Sequence, residues 1–352
     1  MIQPLENSNK YFSNQAFRQL EQCLENQAFS QIFVVVDENT HSQCLPILLQ
    51  KVGVLKNYEL LEVPVGEEAK APEVLSQLWE VLSYYQADRH SIIINLGGGV
   101  VTDLGGFLAA TYMRGIAFIN FPTSLLAMAD AATGGKTGIN LAGFKNRVGA
   151  FAQPLFVGVV PQFLETLARN EKLSGFAEML KHGLIADAKH FSALSEIDLD
   201  APLPENLLAK TINIKENICQ QDPLEQGLRK ILNFGHTVGH ALESASHGSG
   251  EALAHGYAIA LGMQVELQLS VDYCRLSPAA AQSAQKVLAA WYPWPKQNWL
   301  KAEVEKYLKG DKKNRGDQLQ FSLLEQIGKA VFDVEVSNQA ALAVLEKFTT
   351  LA

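Results

Sequence analysis

The chain is poor in cysteine, with four among 352 residues, and Cys23, Cys44, Cys219 and Cys274 share no short repeated spacing. That excludes a disulfide-stapled scaffold, because a chain of this length buries enough core to fold without staples. A positive field is missing too: 29 Lys+Arg stand against 37 Asp+Glu, a formal net charge of −8. Nothing global attracts a nucleic-acid backbone or an anionic membrane surface, so an anionic substrate must be held by local cations and helix N-termini. No apolar run reaches the roughly 18 residues of a membrane span, and the opening residues lack the basic and apolar regions of a secretory signal. Disorder is excluded by 47% hydrophobic against 19% charged residues. We therefore expect a soluble, cytoplasmic protein with no nucleic-acid or membrane partner.

What is present first is alternation. Gln31–Val36, Glu59–Val63, Ser91–Asn95 and Ile116–Phe121 are apolar runs of strand length, and Ala71–Tyr85 and Asp103–Thr111 between them read as helices. Runs that are apolar throughout belong to strands covered on both faces, so the pattern predicts an α/β domain with a parallel sheet of nucleotide-binding type. After about Pro161 the texture turns helical, over Lys172–Ala186, Pro204–Gln221, Leu232–Ser246, Ala254–Cys274, Ser277–Trp291 and Asn338–Thr349. Gln318–Leu324 and Lys329–Glu335 predict a small hairpin turning at Ile327–Gly328. The expected organisation is a Rossmann-like domain over residues 1–160 followed by a mostly helical domain over residues 161–352.

Three constellations could do chemistry. Asn95–Gly106 runs a buried-strand signal into three glycines and a helix; glycines let backbone N–H groups approach an anion that the helix N-terminus also attracts, although a tight turn has the same composition. Asp37, with Asn39 two residues on, ends the first apolar run, where a carboxylate can meet a ribose hydroxyl or simply serve the turn. Asp130–Asn140, continuing to Lys145, Asn146 and Arg147, places paired glycines beside cations, as in an anion-binding loop or a merely solvated one; the Walker A pattern is not met. The third is His236-Thr-Val-Gly-His240, two imidazoles one turn apart, with His255 following. Such a pair suits a divalent metal completed by a carboxylate elsewhere. Glu178 is one candidate, though taken alone with Lys181 three residues on it reads first as a surface ion pair. Arg229, Asn233, His236 and His240 would line one stripe of a single helix, whose Gly235 and Gly239 imply a close approach to the backbone.

Taken in order, GGGVVTDLGGFLAATYMRG, FPTSLLAMADAATGGKTGIN, GFAEMLKHG, RKILNFGHTVGHALE, HGYAIALGM and GDKKNRG resemble the 3-dehydroquinate synthase family, from Asp37 to about Lys312. The resemblance implies conversion of the sugar phosphate 3-deoxy-D-arabino-heptulosonate 7-phosphate to 3-dehydroquinate and phosphate, in the shikimate pathway, with NAD and a divalent metal, zinc or else cobalt. It implies metal ligation by Glu178, His236 and His255, with His240 handling protons instead. On the nucleotide it implies Asp37, Asn39, Glu67, Lys70, Gly98, Gly99, Val100, Asp103, Thr123, Ser124, Thr166 and Leu167. The substrate's carboxylate and phosphate would meet Lys136, Asn146, Lys181, Lys215, Arg229, Asn233, His240 and Lys312, with Asp130 and Lys145 where the two ligands join. Arg114 would reach the phosphate of a partner subunit in a homodimer.

The chain departs from the family where HGEAVAIGM is common: Tyr257 replaces an acidic residue two positions past His255, which predicts altered surroundings for that histidine. Ser124, Ala132 and His182 replace a common Thr, Ser and Tyr. Three rival readings are a cyclase acting on another sugar phosphate, a polyol dehydrogenase of the glycerol dehydrogenase type, and a binding protein that has kept the fold without the chemistry. Lys215, Asn233, His240 and Lys312 keep the family's identities and oppose the first; net NADH production would mark the second.

Overall fold

The apolar runs form strands, Glu59–Val63 at its predicted bounds and the other three displaced by a residue or two, in a computed structural model that describes residues 9–142, 144–246, 252–296, 301–309 and 318–349. The chain divides into two units, Met1–Lys172 with Pro202–Glu205, and Leu173–Ala201 with Asn206–Ala352.

In chain order the strands of the first unit are β1 (Asn9–Phe12), β2 (Ile32–Asp37), β3 (Glu59–Val63), β4 (Ile92–Gly97), β5 (Ala117–Pro122), β6 (Lys136–Leu141), β7 (Phe144–Phe151) and β8 (Phe156–Val159). Six of them form one sheet in the order β1-β8-β5-β4-β2-β3, and every pairing in it is parallel. Every residue of β4 is buried, as its unbroken IIINLG sequence requires. The helices Pro72–Tyr84 and Gly99–Thr111 cover one face, with Phe33, Val35, Leu75, Leu78, Ile93, Leu104 and Leu108 in a shared core. Strand order reverses at β2, since the chain passes from β2 out to β3 and returns to β4 on β2's other side. In open parallel sheets such a reversal opens a crevice at the carboxyl ends of the flanking strands. Asp37 ends β2 and Gly97 ends β4, so the two motifs read from sequence meet at that crevice.

One expectation is corrected. The segment after Gly134 and Gly135 is not a loop: β6 and β7 pair antiparallel as a two-stranded ribbon. Gly138 and Gly149 permit the contact, since a Cβ on Gly149 would lie 2.3 Å from the Thr137 carbonyl oxygen.

The second unit is mostly helical, with Ala188–Ser195, His236–Ser246, His255–Cys274, Pro278–Trp291, Lys301–Lys309 and Asn338–Leu345 among its helices. The helices Arg169–Ala186 and Glu205–Gln221 lie largely within it. The predicted hairpin is there, as β9 (Gln318–Gln326) and β10 (Lys329–Ser337), turning at Gly328 with φ of +87°. Helix His255–Cys274 is buried nearly all round, and its Leu261, Val265 and Leu269 share a core with Val238, Leu242 and Phe321.

The predicted helix through Arg229, Asn233, His236 and His240 is broken. Leu228–Asn233 is a tight 3₁₀ segment, Gly235 sits at φ +83°, and the α-helix starts at His236. Its glycines do mark a close approach: a Cβ on Gly235 would meet Met263 Cγ at 2.4 Å, and one on Gly239 the Ala258 carbonyl oxygen at 2.9 Å. The approaching body is the helix His255–Cys274, whose own Gly262 would place a Cβ 2.0 Å from the Gly235 carbonyl oxygen.

Candidate active site

In the first unit the glycine turn behaves as a helix entrance. Gly98 is the N-cap of Gly99–Thr111, Thr102 N–H donates to the Gly98 carbonyl at 3.0 Å, and Thr123 N–H donates to that of Gly97 at 3.0 Å. A side chain at Gly99 would crowd the Ala131 methyl at 3.2 Å, so the backbone here stays open to a ligand. Beneath it Asn95 donates to Asn120 at 2.9 Å, a buried amide pair tying β4 to β5. Ser124 Oγ accepts from Ala127 N–H at 3.2 Å, and Asp130 lies in the helical turn Ala127–Ala131 that follows.

Beside this entrance several predicted residues join in one network. Lys70, only 3% exposed, donates to Asp103 at 2.8 Å and also to Asn146. Asn146 N–H donates to Asn140 Oδ1 at 2.8 Å, and Asn140 in turn donates to Glu67 at 2.8 Å. Asn140 belongs to the constellation read from sequence, but its bridging role needs the β6–β7 ribbon. Asp37 acts as the N-cap of Glu38–Gln43, accepting from Thr40 N–H at 2.8 Å, so the turn reading of that residue is realised. Asn39, Lys136, Lys145 and Thr166 are exposed, Leu167 N–H donates to the Leu164 carbonyl at 3.2 Å, and Val100 stands half-buried at the helix start. Arg114 is exposed at φ +68°, following Met113 at φ +49°.

In the second unit the three histidines come together: ligand nitrogens of His236, His240 and His255 lie within 4.8 Å of one another. Glu178 faces two of them, its Oε1 3.7 Å from His236 Nε2 and 3.9 Å from His255 Nε2. Four ligands held about 2.0–2.1 Å from a tetrahedral ion stand about 3.3–3.4 Å from one another, close to these separations. Glu178 Oε1 is buried yet accepts no hydrogen bond among the described residues. An orphaned carboxylate oxygen aimed at two imidazole nitrogens is what a divalent cation would satisfy.

The surface reading of Glu178 and Lys181 is overturned, because they are 1% and 2% exposed at the side chain and paired with each other in the interior. Their i, i+3 spacing describes either environment; burial comes from helices remote in sequence. Tyr292, fully buried, donates to the Leu173 carbonyl at 2.7 Å, and its phenol is held well above its ordinary pKa by burial first and then by the Glu178 charge.

Further carboxylates escaped the sequence reading. Glu243 Oε2 lies 3.2 Å from His255 Nδ1, where it orients the ring, while His236 Nδ1 lies 3.2 Å from the Phe234 carbonyl. The signal for Glu243 was available, since it lies one turn past His240. Glu225 accepts from Asn233 at 2.9 Å. Arg229, 3% exposed, donates to the Pro223 carbonyl at 2.8 Å. Asp222 shapes this turn: burial pushes its carboxyl up, but backbone N–H donation from Gln226, Gly227 and Arg229 outweighs burial and holds it below the ordinary value. Lys215 is buried on Glu205–Gln221, His240 is exposed, and Lys312 lies outside the described residues. Tyr257 donates its hydroxyl to the Pro293 carbonyl and stacks edge-on against Tyr292 at 5.6 Å, tethering the segment after helix Pro278–Trp291.

Fold and site define a class of enzyme in which a glycine-opened, Rossmann-like α/β domain precedes a helical domain bearing a histidine–carboxylate cluster. The family models for the 3-dehydroquinate synthase N-terminal and C-terminal domains match residues 60–174 and 175–314. The 3-dehydroquinate synthase of Parabacteroides distasonis is 38% identical over 332 residues, covering 93% of this chain and 94% of that protein. A crystal structure of 2-deoxy-scyllo-inosose synthase with carbaglucose-6-phosphate, NAD+ and Co2+ has a TM-score of 0.86 at 25% identity, covering 97% of each chain. A 2-epi-5-epi-valiolone synthase from Streptomyces hygroscopicus with NAD+ and Zn2+ bound shares the fold, with a TM-score of 0.82 at 23% identity over 97% of each chain. The chain belongs to the 3-dehydroquinate synthase family.

Proposed function

We propose that this chain converts 3-deoxy-D-arabino-heptulosonate 7-phosphate to 3-dehydroquinate and phosphate, as a carbon–oxygen lyase of the shikimate pathway serving chorismate and aromatic amino acid synthesis. The observation that carries the reading is the unsatisfied Glu178 carboxylate oxygen facing His236 and His255 at 3.7 and 3.9 Å, beside the buried Lys181 cation. Glu178, His236 and His255 hold a divalent ion, zinc or cobalt, leaving room for substrate oxygens. NAD takes its place at the crevice after β2 and β4, against Asp37, Asn39, Gly98, Gly99, Val100, Asp103, Thr123 and Ser124, with Glu67, Lys70, Asp130, Lys145, Thr166 and Leu167 beyond them. When bound, NAD accepts and later returns a hydride, and the ion polarises the substrate hydroxyl.

The protein's own residues do the rest. Lys181, Lys215 and Arg229 neutralise substrate carboxylate and phosphate that the chain's −8 charge would otherwise repel, and Asn233 and His240 hydrogen-bond them. Lys136 and Asn146 are assigned to the substrate by their motif. Lys312 belongs to the same set by its motif. Phosphate leaves by β-elimination once oxidation has acidified the adjacent C–H, and the cations stabilise the departing charge. His240, exposed at 5.1 Å ring-to-ring from His236, moves the proton during ring opening. An intramolecular aldol closure then needs one conformer held still, a task for the buried Lys181, Lys215 and Arg229.

The enzyme acts as a cytoplasmic homodimer in which Arg114 reaches the partner's site. Exposed Leu141, Phe144, Val148 and Phe151 on the β6–β7 ribbon, and Met113 beside Arg114, support that assembly; free thiols at Cys23, Cys44, Cys219 and Cys274 support the compartment.

The test is phosphate release with NAD well below the substrate concentration, following product and NADH together, with and without a chelator. Phosphate in excess over NAD, only with metal and without accumulated NADH, is the expected result. A second reading, an inosose-forming cyclase, has the TM-score of 0.86 behind it. Turnover of glucose 6-phosphate in place of the heptulosonate would establish it, and NADH accumulating from glycerol would overturn both.

A further inference from the structure

The α-helix that presents His236 begins without a cap of its own. A helix start leaves several backbone N–H groups unpaired, and a capping box satisfies two of them reciprocally through side chains at the N-cap and at the third helical position. Here those positions are Gly235 and Val238, and neither side chain can accept a hydrogen bond. Gly235 is not free to become Ser or Asp, because it sits at φ +83° with Met263 and the Ile259 carbonyl oxygen where a Cβ would be. The close helix crossing therefore deprives the helix of its local cap.

Both N–H groups are nevertheless paired, and by one residue. Glu266, fully buried on His255–Cys274, accepts from Gly235 N–H through Oε2 at 2.5 Å and from Val238 N–H through Oε1 at 3.2 Å. A carboxylate at a helix N-terminus is favoured by the helix dipole as well as by the two bonds. Glu266 lies one turn beyond Gly262, whose Cβ position would fall 2.6 Å from Gly239 N, so the carboxylate locks the helices where they pass most closely. At the far end of the same pair, Glu243 meets His255 Nδ1. Eleven residues separate His255 from Glu266, about 16 Å of helix. The two antiparallel helices are thus pinned to each other at both ends, and each end has a metal-facing histidine or its immediate neighbour.

We infer that Glu266 is a positioning residue: by capping the His236 helix from the neighbouring helix, it fixes the register that brings His236 and His255 onto one ion, before any ion arrives. The inference rests on the reading of Glu178, His236 and His255 as the metal set. Glu266 touches neither ion nor substrate, so its effect is read first in metal affinity.

The test compares wild type, Glu266→Gln, Glu266→Ala and Leu269→Ala as purified full-length proteins, measuring Zn²⁺ affinity by chelator competition and thermal midpoint of the metal-free form. Gln offers one acceptor where Glu offers two, and its amide hydrogens oppose the second N–H. Glu266→Gln is expected to weaken Zn²⁺ binding at least tenfold. Leu269→Ala, a core truncation on the same helix, is expected to lower the midpoint as much or more while keeping affinity within threefold. In parallel, hydrogen exchange on metal-free wild type should find the Gly235 and Val238 amides protected. The inference is overturned if Glu266→Gln binds Zn²⁺ within threefold of wild type, if Leu269→Ala loses as much affinity, or if those two amides exchange freely. Should neither Glu266 variant fold, the wild-type exchange decides. Wild type that binds no Zn²⁺ would instead refute the metal assignment itself.

Discussion

Replacing Gly262 by alanine adds one carbon at the point where two histidine-bearing helices cross. That carbon would lie 2.0 Å from the Gly235 carbonyl oxygen and 2.6 Å from the Gly239 nitrogen. Both are backbone atoms, so no side chain can swing aside, and reaching an ordinary 3.4 Å contact requires the helices to part by about 1.4 Å. Overpacking of this kind costs about 1–3 kcal/mol. The functional cost is larger, because metal–ligand distances tolerate only about 0.2 Å and a displacement near 1 Å costs about 100-fold in rate. We expect Gly262→Ala to lose at least tenfold in Zn²⁺ affinity and about 100-fold in kcat/KM, with a thermal midpoint lowered by about 2–4 °C per kcal/mol. Ala260→Gly on the same helix is the control: it costs about 1 kcal/mol through helix propensity without inserting an atom, and should keep its metal. Wild-type affinity and turnover in Gly262→Ala, or equal metal loss in Ala260→Gly, would refute the reasoning.

Glu178→Gln should abolish stoichiometric metal, measured by elemental analysis, and destabilise the metal-free protein by about 3–5 kcal/mol because the buried Lys181 charge loses its partner; retained metal would count against the ligand set. Lys136→Ala should lower kcat/KM at least tenfold while NAD titrations give an unchanged Kd, since Lys136 is assigned to the substrate. His190 is 4% exposed and donates from Nε2 to Thr211 at 2.8 Å, Thr211's own hydrogen going to the Leu207 carbonyl at 3.0 Å. Burial holds the imidazole neutral, with its pKa lowered from 6.5 to about 4. The unfolded chain binds the extra proton first, so stability is full above pH 6.5 and falls as pH drops toward 4, by about 3 kcal/mol at most. Denaturant titrations across that window should show a shallower fall in His190→Gln than in wild type.

Strand positions were legible because parallel strands buried on both faces leave nearly continuous apolar runs, as Ile92–Gly97 does apart from Asn95. The glycine turn after it was legible for the same reason that it works, a need for bare backbone at a helix entrance. The break at Gly235 was not, because helical periodicity from Leu232 to Ser246 continues across it, and only the φ of +83° reveals two segments. The β6–β7 ribbon was hidden in a stretch whose glycines and cations read as a loop, although Gly138 and Gly149 there serve strand-to-strand contact. Glu178, Glu243 and Glu266 mark a deeper limit. A carboxylate on a helix has the same local signature whether it meets water, a lysine or another helix's amides, and only the packing of remote elements distinguishes them.

The position of β1 bears on how the chain is made. Its residues pair with β8, Asn9 against Phe156 and Phe12 against Val159, so β1 finds its neighbour only after the other described strands of the sheet have been made. At ribosomal rates of about 5–20 residues per second that interval is on the order of ten seconds. Meanwhile β5, whose edge β8 will cover, is open to pairing with another nascent chain. Pro202–Glu205, which also belongs to the first unit, emerges later still. The first domain therefore completes itself only while the second is already under construction, and slowing translation before Phe156 should favour aggregation rather than folding.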